Sequence, residues 1–149
     1  MRTKAVRRRV LLLPALLFLL LFAACSRDLT DKSRIEALFR KNEAAFLAAA
    51  ETGDLSALRR LRGIREIQTR GDGGEIAFFC GGRGLVPASV YYGILYLPGS
   101  AGKDLSQVFG ASPEWSVDGA GYRYRQAEGD NEFYYEPLGN GFFYYEEHF

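Results

Sequence analysis

Histidine, cysteine, methionine and tryptophan are scarce in this 149-residue chain: one His, two Cys, one Met and one Trp. The scarcity excludes a good deal of chemistry. One imidazole, His148, and one cysteine outside the N-terminal leader, Cys80, offer no ligand spacing for zinc, so no metal and no cofactor is expected. Nucleophilic catalysis needs a nucleophile, a base and an orienting group. The sole imidazole is next to the C-terminus, and nothing in the sequence brings a Cys80–His148 dyad together. The glycine cluster Gly81-Gly82-Arg83-Gly84 lacks the lysine and the Ser/Thr of a P-loop, and no helix signal follows it. There is no internal repeat and no low-complexity tail.

Acidic residues are missing altogether from the first 24 positions. Arg2, Lys4, Arg7, Arg8 and Arg9 open the chain, and Val10 to Ala24 is an unbroken apolar run of 15 residues. A membrane-spanning helix needs about 20 apolar residues, whereas a basic start followed by a run of about 7–15 has the form of a secretory signal. The run ends in Leu21-Phe22-Ala23-Ala24-Cys25. This end resembles the lipobox of bacterial prolipoproteins, with Phe22 where that family usually has leucine. The resemblance implies a signal peptide over residues 1–24, cleavage before Cys25, and lipidation of Cys25 by acyl chains such as palmitate. Residues 25–30 then form a short lipidated tether, and the protein is exported and lipid-anchored to a bacterial cell membrane. Four residues, Ser26 to Leu29, reach about 14 Å at about 3.5 Å each, so the domain is expected close to the bilayer. An ordinary signal peptide that releases a soluble protein is the competing reading. A thioether at Cys25 leaves Cys80 as a lone thiol; without it a Cys25–Cys80 bridge becomes possible.

The leader carries 5 of the 19 basic residues and none of the 18 acids, so residues 25–149 have a net charge of −4. A mildly acidic domain lacks the basic face that nucleic acid requires. It also lacks a polybasic patch for anionic lipid. Its 125 residues suffice for one domain with one core, read here as residues 31–149.

Composition shifts along that domain. Alanine, leucine and charge dominate Ser33 to Leu61, while all nine tyrosines and Trp115 follow from Tyr91 onward. Helix first and sheet afterwards is an α+β pattern. Ile35, Leu38, Phe39, Asn42, Ala45, Phe46, Ala49 and Ala50 recur at three- and four-residue spacing and form one helix face. Ser33 and Glu36 have capping-box spacing, with Thr30 and Asp31 as rival caps, and Gly53 is the stop. Asp54 is placed to cap a short second helix carrying Leu55, Leu58 and Leu61. Strands are expected at 64–69, 75–80, 89–97, 122–127, 131–136 and 141–148, with a helical turn at 103–109. In the last strand Phe142, Tyr144, Glu146 and His148 point one way, and Phe143, Tyr145, Glu147 and Phe149 the other. Asn140-Gly141 marks the preceding hairpin. The expected architecture is one or two N-terminal helices packed on a curved antiparallel sheet of about five or six strands. That order of elements resembles the NTF2-like fold, without any site motif of that family. The stretch from Cys80 to Gly93 and the C-terminal tail also resemble those of small bacterial lipoproteins of unknown function, a likeness that implies no activity.

Candidate sites are few. Arg70-Gly71-Asp72 matches the integrin triplet, but turn chemistry accounts for it. Glu132 with Glu136, or Glu146 with Glu147, are the available carboxylate pairs for glycosidase-type work. The glycine cluster could nest an anion with Arg83 as a clamp, though it reads better as a corner between two strands, with Pro87 at the entry to the second. The tyrosines remain. They combine apolar area with a hydroxyl, which suits interfaces and sugar stacking. These features favour a non-enzymatic binding protein using a tyrosine-rich sheet surface near Arg83, Tyr92, Tyr124, Tyr135 and Tyr144. Its partner would be an envelope protein, a peptide or a glycan, not a nucleic acid. An NTF2-like ligand-binding or enzymatic domain and a purely structural envelope protein are the alternatives.

Overall fold

A computed structural model describes residues 28–85 and 88–149. The leader, Cys25 and Pro87 lie outside the described residues. The first element, helix α1 (Lys32–Thr52), begins where the Asp31 carboxylate accepts the Arg34 backbone N–H at 3.0 Å. Asp31, and not Ser33, is therefore the cap. The helix ends at Gly53, whose φ of 74° is the left-handed conformation glycine adopts freely. Midway, the Asn42 side-chain amide donates to the Leu38 carbonyl at 2.8 Å, and the backbone departs from helical geometry at Asn42. A side chain competing for the carbonyl four residues back is a known cause of such kinks. The face expected from spacing is the buried one: Ile35, Phe39, Phe46 and Ala49 are enclosed.

The expected second helix is reduced to a single 3-10 turn, Leu58–Arg60. Helix nucleation is costly, and a short segment bounded by two glycines gains little from propagation. Asp54 instead accepts the Ser56 N–H at 2.9 Å and closes a local turn. Leu58 is nonetheless fully buried, so the apolar positions read from the sequence still reach the core.

The sheet has seven strands, one more than the upper expectation: β1 (Glu66–Arg70), β2 (Glu75–Leu85), β3 (Ala88–Tyr96), β4 (Trp115–Asp118), β5 (Gly121–Arg125), β6 (Glu132–Gly139) and β7 (Phe142–His148). The added strand is β4, whose four residues are too short to show an alternation of their own. A one-turn helix, α2 (Leu105–Phe109), precedes it. The spatial order is β1-β2-β3-β7-β6-β5-β4, and every neighbouring pair is antiparallel. The link from β3 to β4 carries α2 to the far edge, and the chain then returns by hairpins until β7 docks on β3.

The glycine cluster is not a corner. β2 continues straight through Gly81–Leu85, with an irregularity in register between Phe79 and Gly81. Gly81 has a steric duty: a Cβ there would lie 2.8 Å from the Leu29 carbonyl oxygen and 2.9 Å from the Asp28 Cβ. Its absence lets Asp28 and Leu29 lie directly on the strand. The Leu29 N–H donates to the Cys80 carbonyl at 3.0 Å, and Asp28 pairs with Arg65 at 2.7 Å.

Strand alternation divides the core in two. On the α1 side, Phe39, Phe46, Phe78 and Phe142 form a closed ring cluster with centroids 5.1–5.7 Å apart, joined by Cys80, Ile94 and Tyr144. On the other side Ala77, Leu95, Tyr135, Phe143 and Tyr145 form a smaller cluster. Its cover is α2, through Phe109 stacked 4.5 Å from Tyr135.

Candidate binding site on the sheet face away from the long helix

The polar centre of this face is Glu147 on β7, whose Cα partners are Tyr91 on β3 and Phe133 on β6. Glu147 is only 5% exposed, and a buried carboxylate is tolerated when it is paired and hydrogen-bonded. Arg70, at the end of β1, donates from both terminal nitrogens to its two oxygens at 2.7 and 3.1 Å. The Tyr135 hydroxyl adds a third hydrogen bond at 3.0 Å. The Arg70 guanidinium also lies 5.5 Å from the centre of the Tyr145 ring. Hydrogen bonding to Glu147 holds Arg70 above its ordinary value, against the opposing effect of burial. Burial first, then the negative charge of Glu147, pushes the Tyr135 and Tyr145 hydroxyls well above theirs. The integrin-like triplet is consumed by this pairing, since its arginine is bound inward.

Above that centre is a half-open cavity of about 330 Å³. Glu66, Gln68 and Arg70, alternate residues of β1, line one wall; Phe79, Tyr91 and Phe149 line the other. A second cavity of about 270 Å³ lies toward the opposite sheet edge, lined by Trp115, Tyr124, Phe133, Gln126 and Asn131. The two are linked by a row of rings from β2, β3, β6, β5 and β4, with Phe149 directly after β7 filling the place between β3 and β6: Phe79, Tyr91, Phe149, Phe133, Tyr124 and Trp115. Every step in the row spans 5.3–5.8 Å between centroids. Phe149 takes its place because it exchanges two backbone hydrogen bonds with Ser89, at 3.0 and 3.1 Å. Tyr91 and Phe149 are 38% and 43% exposed, so the row is open to a partner at its middle.

The sheet splits the residues singled out from the sequence. Arg83, Tyr92 and Tyr144 lie on the α1 side, whereas Tyr124 and Tyr135 lie on the opposite face. Tyr92, Tyr135 and Tyr144 are buried, and Tyr124 is half-buried in the aromatic row. Arg83 sits within β2; its Nε donates to the Thr30 hydroxyl at 2.9 Å and its guanidinium lies 5.9 Å from the Tyr92 ring centre. Sequence reasoning did not single out Arg70, Phe79, Trp115 or Phe133 as site residues. The signal that could have found part of the site was the period-two alternation of the last strand, which already grouped Tyr145, Glu147 and Phe149.

The groups considered for catalysis are engaged elsewhere. Cys80 is fully buried and its Sγ donates to the Phe78 carbonyl at 3.6 Å, while burial pushes the thiol up to about 12. His148 pairs with Glu146 at 2.6 Å. Glu132 is held by Arg125 at 2.8 Å and by Arg123, and these partners lower its pKa. Burial acts to raise Glu136, but Lys32 and the Tyr134 hydroxyl outweigh it, and the net shift is downward. Glu146 and Glu147 project to opposite faces. Among the described residues no three His, Cys, Asp or Glu side chains cluster as a metal site would require. No protein-family model, curated protein or solved structure matches this chain, so the site is read from its own geometry.

Proposed function

We propose that this chain is a bacterial lipoprotein, held on the cell membrane through lipidated Cys25, and that it acts as a non-enzymatic binding protein. Its working surface is the sheet face away from α1. The observation that carries the reading is the row of six rings crossing six adjacent strands, four half-buried and two exposed, with a cavity at each end. Aromatic rows of this kind inside a domain are closed over, as they are under α1. Here Tyr91 and Phe149 are left accessible, and contiguous exposed apolar area commonly marks an interaction site.

The way the chain enters the domain supports anchoring close to the bilayer. Residues 28–30 lie against β2 through Leu29–Cys80, Asp28–Arg65 and Arg83–Thr30 contacts. With a lipid on Cys25, two residues separate the anchor from this contact, a reach of at most about 7 Å. Two or more acyl chains make such an anchor durable.

The test has two parts. Mass spectrometry of the membrane-extracted protein is expected to find a diacylglyceryl group on Cys25 at the mature N-terminus; an unmodified Cys25 rejects the anchor. A photo-crosslinking amino acid in place of Tyr91 is expected to trap an envelope component in cells, whereas the same probe in place of Glu51 on exposed α1 is not. Equal or absent trapping at both positions rejects the binding face.

A further inference from the structure

We infer that the ligand of this face is a neutral, extended polysaccharide chain lying across the strands along the aromatic row. The inference rests on the proposed binding face and goes beyond it by naming the ligand's chemistry. Three observations carry it.

The first is that the cavities are amphipathic in the way a sugar ring is. A pyranose has apolar C–H faces and a rim of hydroxyls that both donate and accept. In the larger cavity, rings of Phe79, Tyr91 and Phe149 are accompanied by planar polar groups of Glu66, Gln68 and Arg70. In the smaller one, Trp115, Tyr124 and Phe133 are accompanied by the amides of Gln126 and Asn131. Apolar walls with a few planar donors and acceptors are what orients a polyol.

The second is charge. Arg70 is committed to Glu147 through two hydrogen bonds, and Glu66 accepts from Gln68 at 2.8 Å. The smaller cavity has no charged lining residue. A polyanion therefore meets no uncommitted cation here, and a polycation meets no acidic track. A neutral chain is the complementary partner.

The third is length. The row runs from β2 to β4, five strand spacings of about 4.8 Å, or about 24 Å in all. Both ends combine aromatic rings with planar polar groups. A single sugar would fill one cavity; a chain of several rings would occupy both and gain from the linkage.

Trp115 is the sole tryptophan and lines the smaller cavity, so its emission reports on the far end of the row. The experiment titrates the full chain in detergent micelles with three neutral hexasaccharides: β-1,4-linked glucose, β-1,4-linked N-acetylglucosamine and α-1,4-linked glucose. At least one hexamer is expected to shift Trp115 emission saturably. Its monosaccharide should bind about tenfold or more weakly at equal ring concentration. Tyr91→Ala, in the lining of the other cavity, is expected to raise the half-saturating hexamer concentration about tenfold while leaving the unliganded Trp115 spectrum unchanged. Phe149→Ala serves as the second variant, since its side chain is exposed and its two backbone hydrogen bonds to Ser89 do not involve the ring. Silence with all three hexamers while the Tyr91 crosslinker still traps an envelope protein in cells overturns the glycan and leaves the binding face. Silence with no trapping overturns both. A hexamer signal unaltered in both variants overturns the row as the binding track.

Discussion

The two faces of this sheet carry aromatic clusters of nearly the same internal spacing, 5.1–5.7 Å under α1 and 5.3–5.8 Å on the opposite side. Yet Phe39, Phe46, Phe78 and Phe142 are at most 1% exposed, while Tyr91 and Phe149 are 38% and 43% exposed. Ring-to-ring geometry therefore does not separate core from binding surface. The difference is the cover. α1 has 21 residues and seals its face; α2 has five, and Leu105, Val108 and Phe109 cover the small cluster around Tyr135 and Phe143 without reaching the exposed Tyr91 and Phe149. The uncovered remainder is where the cavities lie.

That contrast can be broken most directly at Phe46, which touches Phe39, Phe78 and Phe142. Phe46→Ala removes the centre of a sealed cluster and is expected to cost about 3–5 kcal/mol in chemical denaturation. A cost below about 1 kcal/mol would mean the α1 face is no better packed than the other. Next is the polar centre of the open face. Glu147→Gln leaves the Arg70 charge without its carboxylate and is expected to cost about 1–3 kcal/mol, with two-state unfolding retained. An unchanged midpoint would show that the Arg70–Glu147 pair contributes nothing to this face.

The pH dependence sharpens the same comparison. Glu132 and Glu136 on the α1 side have lowered values, so their contribution is present above the unfolded carboxylate value of about 4.3 and is lost as pH falls through the lower folded values. Burial raises Tyr134 and Tyr144 on the α1 side and Tyr135 and Tyr145 on the other. Their contribution is complete below the unfolded value of about 10 and is lost as pH rises through the higher folded values. The buried Cys80 thiol, pushed up to about 12, loses its contribution in the same way from its unfolded value of about 8.5 upward. Urea midpoints measured across pH should thus form a plateau between about 5 and 8 with a fall at each end. Absorbance at alkaline pH should show several tyrosines that ionise only on unfolding. The smallest effect on stability is expected from Tyr91→Ala, about 1 kcal/mol or less by the same denaturation assay, since that ring packs only partly against Phe79 and Phe149. A loss comparable to that of Phe46→Ala would turn the open row into core.

Much of the architecture was legible from local rules. The α1 face, its Gly53 stop and the Asn140-Gly141 hairpin all follow from spacing and backbone preference, because they depend on residues a few positions apart. Besides the second helix that shrank to one turn, β4 and the glycine stretch were not legible this way. β4 is only Trp115-Ser116-Val117-Asp118, and it becomes a strand because β5 pairs with it. Gly81-Gly82-Arg83-Gly84 looks like a breaker and is strand, because Asp28 and Leu29 lie where a Cβ on Gly81 would stand. Both depend on partners that a local window does not contain.

The site divides along the same line. By itself the sequence determined that Phe143, Tyr145, Glu147 and Phe149 share one side of a strand, since side chains alternate with period two. It could not say which side would be covered. It grouped Arg83, Tyr92, Tyr124, Tyr135 and Tyr144 as one surface although the sheet sends them to two. Only the tertiary structure decided that, because α1 covers one face and α2 is too short to seal the other. Sheet pairing then aligned rings from six strands into the row that remains open.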